Sequence, residues 1–325
     1  MLLNIREIKN KDQLLSFKFM PVYLMWQSLL KNIQEGNYKA LARTISLVEN
    51  EVAGYEQFLT DLPNKGTAVI GITGPPGAGK STMVDALIAH WVGLGKKIAV
   101  LCVDPSSPFN LGALLGDRIR MNEWYTHPNV FIRSLATRGS LGGLHPHIIE
   151  ITSILQAALF DYIIVETVGV GQSEIEIAGL ADTTVVVVVP EAGDEVQTMK
   201  AGLMEIADLF VVNKSDRPDS DIFVRNLRSM LSQTAHTDHE VGVLKTIASS
   251  REGINDLAAA IEKHQEHLKF SEKKIWLMTD RVYQLIQKKK MKGIDKELIR
   301  SSIALKFQEP GFNLFEFAKN YPNAN

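Results

Sequence analysis

One stretch, Gly74-Pro75-Pro76-Gly77-Ala78-Gly79-Lys80-Ser81, constrains what this chain can fold into more than any other. It satisfies G-x-x-x-x-G-K-[ST], with Thr82 following, and its flanks are the ones that pattern requires. Thr67 to Ile72 is a short β-branched run that predicts a buried strand. Thr82 to Trp91 carries Met83, Val84, Leu87, Ile88 and Trp91 at helical spacing. Strand, glycine-rich loop and helix make a P-loop. The glycines let the backbone curl until successive N–H groups point at phosphate oxygens, and the helix N-terminus adds partial positive charge. Lys80 is then placed to reach β- and γ-phosphates, and the Ser81 hydroxyl to bind Mg²⁺.

The chain behind the loop supplies matching chemistry. Lys96 to Asp104 reads as a second strand, apolar from Ile98 to Val103 and so interior to a parallel sheet. Asp104 ends it, where α/β sheets bind ligands. Its carboxylate suits a magnesium water, or a turn bond ahead of Pro105. Leu111 to Met121, with Gly112, Gly116, Asp117, Arg118 and Arg120, has the composition of a switch loop. Asn129 to Leu135 reads as a strand and Ile148 to Leu159 as a helix. Asp161 to Glu166 is a strand running into Thr167-Val168-Gly169. An acid followed three residues on by glycine is the chemical form of the D-x-x-G switch, here with Glu166. Its carboxylate would meet Mg²⁺ through water, since Mg²⁺ dehydrates reluctantly. Gly169 would offer its N–H to the γ-phosphate. Gln172 either orients the attacking water or bonds its own loop. The catalytic candidates are therefore Lys80, Glu166 and Gln172.

Thr183 to Pro190 and Leu209 to Val212 read as further buried strands, and the second ends in Asn213-Lys214-Ser215-Asp216. Guanine presents an N1–H and an N2 amino donor, and a carboxylate such as Asp216 accepts from both. Adenine offers neither there, so ATP would leave a polar group unpaired at about 1–3 kcal/mol. Asn213 is expected at the base edge and the Lys214 stem over the ring. Val241 to Ala248 reads as the last strand, and Gly253 to Glu262 as a helix.

Length and composition set the frame. Across 325 residues the reading gives an N-terminal helical region, 1–63, a nucleotide-binding domain, 64–265, and a C-terminal helical arm, 266–325. The helices before Pro63 carry Val22, Leu24, Met25, Leu29, Leu30, Ile33, Leu41, Ile45, Val48 and Val52 on apolar faces, broken at Gly36-Asn37, and are expected to pack on the main domain. The arm carries an apolar stripe, Ile275, Met278, Val282, Leu285 and Ile286, suited to a partner helix. Lys288 to Lys290 close that helix as a solvated end. A net charge of −2 gives no general attraction to nucleic acid or an anionic membrane. The single cysteine, Cys102, excludes an intrachain disulfide and fits a reducing compartment. No run approaches the roughly 18 apolar residues of a membrane helix. Met1 to Phe17 mixes acids and bases unlike a signal or transit peptide, so a cytoplasmic protein is expected. His145-Pro146-His147 and His236 with His239 lack the further ligands a metal site needs.

With these residues in place, the chain resembles the MeaB/ArgK family of P-loop GTPases, the GTPase chaperones associated with methylmalonyl-CoA mutase. The resemblance runs from about Ala40 to Leu257. It rests on Ala40 to Glu49, Gly71 to Thr82, Val103-Asp-Pro-Ser-Ser-Pro108, Leu114 to Met121, Ser134 to Gly143, Val165 to Glu174 and Ala192 to Lys200. It implies a P-loop NTPase αβα sandwich with a mainly parallel sheet and helical extensions at both ends. GTP/GDP and Mg²⁺ are the implied ligands. The nucleotide would lie on Gly74 to Thr82, Gly169, Asn213, Lys214, Asp216 and Ala248, and the metal on Ser81, Asp104, Asp117 and Glu166. The stretch Gly193 to Lys200 matches the family's additional switch, which couples nucleotide state to the mutase. The implied role is a chaperone that gates cobalamin loading or protection of a B12-dependent acyl-CoA mutase, acting as a homodimer. Ile247-Ala248 stands where the family usually has Ser-Ala, and Arg251 where glycine is frequent.

Two other readings stand beside it. A kinase or transport-associated ATPase conflicts with Asn213 to Asp216 and lacks a second substrate domain. A nickel-insertion-type metallochaperone GTPase needs thiol or histidine ligands beside the nucleotide, and the lone thiol, Cys102, falls inside a strand.

Overall fold

The β-branched runs become seven parallel strands in a computed structural model, which describes residues 11–63, 65–104, 121–137, 144–167, 173–190, 201–234, 241–268, 272–307 and 311–321. They are β1 (Val69–Thr73), β2 (Ile98–Asp104), β3 (Val130–Ala136), β4 (Tyr162–Glu166), β5 (Thr183–Val188), β6 (Leu209–Val212) and β7 (Gly242–Lys245). The order across the sheet is β3-β2-β4-β1-β5-β6-β7. Among these strands every pairing is parallel, so the sheet is wholly rather than mainly parallel. The P-loop strand β1 is central, and β4 inserts between it and β2.

Three helices precede the sheet: α1 (Lys11–Gln34), α2 (Tyr38–Glu49) and α3 (Tyr55–Thr60). Those connecting the strands are α4 (Lys80–Gly93), α5 (Ile148–Ala157), α6 (Ser173–Leu180), α7 (Ala201–Ile206) and α8 (Ser220–Thr234). After β7 come α9 (Ile254–Leu268), α10 (Glu272–Lys290), α11 (Lys296–Lys306) and α12 (Leu314–Lys319).

Period-two alternation divides the strand side chains between two cores. Ile70, Ile72, Val100, Cys102, Val185 and Val187 face α4 and α9, where they meet Met83, Leu87, Trp91, Leu257 and Ile261. On the opposite face Leu101, Val103 and Val165 meet Ile151, Ile154 and Leu155 of α5 and Ile177 and Leu180 of α6. Val186, Val188, Phe210 and Val212 meet Leu203 of α7 and Leu227 of α8. Both faces are covered, which is why the strands read as continuous apolar runs. Each fully buried aliphatic side chain contributes about 1.5–3 kcal/mol.

The N-terminal helices join the second face through Trp26, Leu30, Ile33, Leu41, Ile45, Val48 and Phe58, but Leu24, expected on the same apolar face, is 58% exposed. Gly36, at φ +82°, ends the turn after α1, and the Asn37 side chain caps α2 by accepting from the Lys39 and Ala40 N–H groups. The expected stripe to Val52 is cut short, because Glu51 takes a left-handed φ of +48° and α2 stops at Glu49.

The end of α2 carries a polar cluster. Glu49 pairs with Arg133 of β3 and, at 3.4 Å, with His145 Nε2. Burial pushes the Glu49 carboxyl up, but His145 beside it and the Arg133 guanidinium outweigh it and hold it below its ordinary value. His147 stands 3.4 Å from Glu150 and 3.8 Å from Glu51. The two histidines are thus carboxylate partners. Among the described residues no group of three or more His, Cys, Asp and Glu side chains is arranged to hold a metal ion.

The chain divides into two compact units, Met1–Lys274 and Ile275–Asn325. Within the second, Asp295 caps α11 and Asn313 caps α12. Phe307, Phe312, Phe317 and Tyr321 form a chain of ring contacts 5.8 to 5.9 Å apart. Among the described residues no helix is long and apolar enough to cross a membrane.

Candidate functional site

Because the strands are parallel, the C-terminal ends of β1, β2, β4, β6 and β7 share one edge of the sheet. Of the residues singled out in the sequence, Gly74 to Thr82, Asp104, Glu166, Asn213 to Asp216 and Ala248 lie at or after those strand ends. The loop from Gly74 leads from β1 into α4, which begins at Lys80, two residues earlier than its apolar spacing indicates. Lys80 is 7% exposed, and its ammonium donates to the Gly74 carbonyl at 2.9 Å and the Pro75 carbonyl at 3.1 Å. Pro76, Gly77 and Thr82 are exposed around the loop, and Ala78 is buried.

Ser81, in the first turn of α4, donates to Glu166 Oε1 at 2.6 Å. Register explains how Asp104 joins them. Glu166 is in register with Cys102 of β2 and Ile72 of β1, and both of those side chains face α4. Asp104 lies two residues beyond Cys102 and so points to the same face. The Ser81 hydroxyl and two carboxylates, all buried, are a hard-oxygen donor set at the start of a helix. That set fits Mg²⁺ rather than a soft metal. The lone thiol, Cys102, is buried in β2.

The base-reading stretch is tied to the phosphate loop. Asn213 is 2% exposed and its amide donates to the Ala78 carbonyl at 2.9 Å. Its Oδ1 accepts from Ala248 N at 3.0 Å and from the Thr246 hydroxyl at 3.2 Å. Asn213 is therefore a strut joining the P-loop, the end of β6 and the loop after β7. Gly79 makes room for it. A Cβ there would stand 2.4 Å from Asn213 Nδ2, and its φ is +90°. Lys214, itself at φ +55°, donates to the Gly77 carbonyl at 2.9 Å. Asp216 is exposed, and among the described residues its carboxylate makes no hydrogen bond or ion pair.

Asp117, Gly169, Gln172, His236, His239 and the stretch 193–200 lie outside the described residues. The structure adds contacts that the motifs did not indicate. Thr73 and Thr167 share a hydroxyl hydrogen bond of 2.9 Å between the ends of β1 and β4. The indole of Trp124 donates to Asp85 of α4 at 2.7 Å. Thr246 and Thr167 each adjoin a motif residue, a weak signal, and Asp85 has none. A cavity of about 100 Å³ lined by Ile33, Tyr38, Leu41, Lys97 and Phe160 opens beside the starts of β2 and β4, away from this site.

A family model described as "Methylmalonyl Co-A mutase-associated GTPase MeaB" matches residues 41–301. The chain belongs to the MeaB family. A protein of Pyrococcus abyssi named as a GTPase is 47% identical over 253 residues, covering 76% of this chain and 78% of its own. GTPase ArgK of Escherichia coli is 37% identical, covering 71% of this chain and 73% of its own. A Caenorhabditis briggsae protein named "Methylmalonic aciduria type A homolog, mitochondrial" is 39% identical over 58% of this chain and 50% of its own. Among solved structures, that of a LAO/AO transport system kinase superposes with a TM-score of 0.64 at 24% identity. It covers 91% of this chain and 96% of its own, and the likeness is one of fold. MeaB membership makes this chain a GTPase-family protein with guanine nucleotide as its ligand class, on the P-loop NTPase fold.

Proposed function

We propose that this protein binds and hydrolyses GTP with Mg²⁺ as a chaperone that gates cobalamin loading or protection of a B12-dependent acyl-CoA mutase of the methylmalonyl-CoA mutase type. The observation that carries the nucleotide reading is Asn213. It ties Asp216's loop to the P-loop at Ala78, while the Asp216 carboxylate itself stays exposed and ready to accept. Base recognition and phosphate binding are thereby set at a fixed spacing. In this reading Gly74 to Thr82 wrap the phosphates and Lys80 neutralises them. Ser81, Asp104 and Glu166 hold Mg²⁺, with Asp117 as a fourth donor. The metal offsets charge on the phosphate oxygens. Gly169 and Gln172 complete the γ-phosphate end. The mutase reading is supported by the family description and by the name of the Caenorhabditis briggsae relative.

Guanine selectivity is tested by titration calorimetry. GTP and GDP are expected to bind at least roughly 100-fold tighter than ATP, because a site built for hydrogen-bonding groups rejects analogues lacking them. Asp216→Asn is expected to turn the preference toward xanthosine nucleotide, whose C2 oxygen accepts where guanine donates. Equal affinity for ATP and GTP in the unaltered protein contradicts the reading.

The homodimer is assigned to the C-terminal arm. On α10, Ile275, Met278, Val282 and Ile286 are all at least half exposed, more contiguous apolar surface than one helix normally presents to water. Two copies joined through that face are expected to sediment as a dimer. Val282→Glu with Ile286→Glu is expected to give a monomer with unchanged nucleotide affinity. A wild-type monomer at micromolar concentration would exclude this assignment.

A further inference from the structure

We infer that Thr73 and Thr167 are positioning residues for Mg²⁺, through the hydroxyl hydrogen bond that joins the ends of β1 and β4 and holds Glu166 in place beside Ser81. This rests on the magnesium reading above and adds the pair that sets its geometry. Neither threonine is among the residues proposed for phosphate, base or metal.

The two hydroxyls lie on the face of the sheet opposite the site. Ile72 and Glu166 are in register, and Ile72 faces α4. Thr73 and Thr167 come next on each strand and point the other way. Gly71 and Val165, two residues earlier, agree with this. A Cβ on Gly71 would stand 2.5 Å from Ile177 Cγ1 of α6, and Val165 shares a core with Ile177. Thr73 and Thr167 are buried, and their oxygens are 2.9 Å apart. On that face of the same strands Val69, Ile163 and Val165 are all aliphatic. Valine would fill either threonine position without desolvating a hydroxyl, so packing gives no reason for the polar pair. What the hydroxyls add is a set distance, since a hydrogen bond is directional and apolar contact is not.

Thr73 is the fixed member of the pair. It is in register with Val186 of β5. Gly74, the next residue, has φ +136° and lies so close to β5 that a Cβ would stand 2.0 Å from the Val187 carbonyl oxygen. The end of β1 is thus pinned from the β5 side, and the threonine pair carries that constraint across to β4. Thr167 is held twice, by its hydroxyl and by its N–H, which donates to the Ile72 carbonyl at 3.0 Å. Glu166 immediately precedes it, and on the α4 face its Oε1 accepts from the Ser81 hydroxyl at 2.6 Å. Clamping the strand end from behind keeps the carboxylate at a set distance from Ser81. Mg²⁺ demands near-ideal octahedral geometry at short oxygen distances, so its affinity is sensitive to that spacing.

Calorimetric titration of MgCl₂ into the GDP complexes of wild type and two variants, beside thermal melts, tests this. Thr73→Val with Thr167→Val removes both hydroxyls and keeps both β-branched shapes. Its melting temperature is expected at or above that of wild type, because replacing both partners by apolar groups of the same shape is nearly neutral or stabilising. Its Kd for Mg²⁺ is expected to rise about three- to tenfold, the worth of one hydrogen bond. Thr167→Ser is expected to do the reverse. Loss of a buried methyl lowers its melting temperature, while the retained hydroxyl keeps Kd for Mg²⁺ within about twofold of wild type. GDP affinity in EDTA should stay within about twofold in both variants, since the substitutions leave the phosphate and base residues intact. A merely structural role would make Mg²⁺ affinity follow the melting temperature. A double variant whose Kd for Mg²⁺ stays within about twofold of wild type overturns the inference. So does a serine variant that binds Mg²⁺ more weakly than the double variant. A wild-type GDP complex that takes up no Mg²⁺ overturns the magnesium reading itself, and the inference with it.

Discussion

Lys80→Ala is expected to lower GTP hydrolysis by about 10²–10³-fold, the usual loss when one preorganised charge or donor at a developing anion is removed. Lys80 is the first residue of α4 and 7% exposed, and its ammonium is already gathered against the loop carbonyls of Gly74 and Pro75. A cation held there needs little reorganisation as charge builds on the transferring phosphoryl group, which is where such a group contributes most. The substitution should spare the fold, because alanine is the best helix former and the α4 core positions Met83, Leu87 and Trp91 are untouched. Single-turnover hydrolysis beside a thermal melt checks both halves. A rate within threefold of wild type would remove Lys80 from the catalytic set.

How much of this could be read from the chain differs by element. The P-loop, the strand ends at Asp104 and Glu166, and Asn213 to Asp216 are legible because each is a local pattern whose chemistry dictates residue type and spacing. All seven strands are legible too: burial makes the interior ones near-continuous apolar runs, while the edge strands β3 and β7 admit Arg133 and Lys245. Strand order is not. That β4 enters between β1 and β2, bringing Glu166 to Ser81, depends on contacts 85 residues apart in sequence. The strut role of Asn213 is hidden for the same reason, since its partner Ala78 is 135 residues away. The motif suggests a base contact and says nothing of a tie to the P-loop. Helix α8 carries Phe223, Val224, Leu227 and Leu231 at helical spacing, a signal that a motif-led reading passes over. The pairing of His145 with Glu49 and Arg133 leaves no local signal, because the two partners come from separate elements.

The largest effect is expected from the partner. Of the groups proposed for the γ-phosphate end, Glu166 accepts from the Ser81 hydroxyl and is proposed for the metal, and Gln172 is an amide that takes up no proton at neutral pH. Lys80 supplies charge but no base. A GTPase so equipped turns over slowly alone, and stabilisation supplied in trans raises such rates by up to about 10³–10⁵-fold. The family description and the Caenorhabditis briggsae relative's name direct the search for the supplier to a methylmalonyl-CoA mutase-type enzyme. Residues 193–200, which resemble the family's coupling switch, offer a place for that contact, with Lys200 its charged end. GTP hydrolysis by this protein, measured with and without the B12-dependent mutase of the same organism, tests the account most directly. The account predicts slow turnover alone, acceleration of at least about tenfold with the mutase, and a complex on gel filtration that depends on the bound nucleotide. An unchanged rate together with no nucleotide-dependent complex would contradict it.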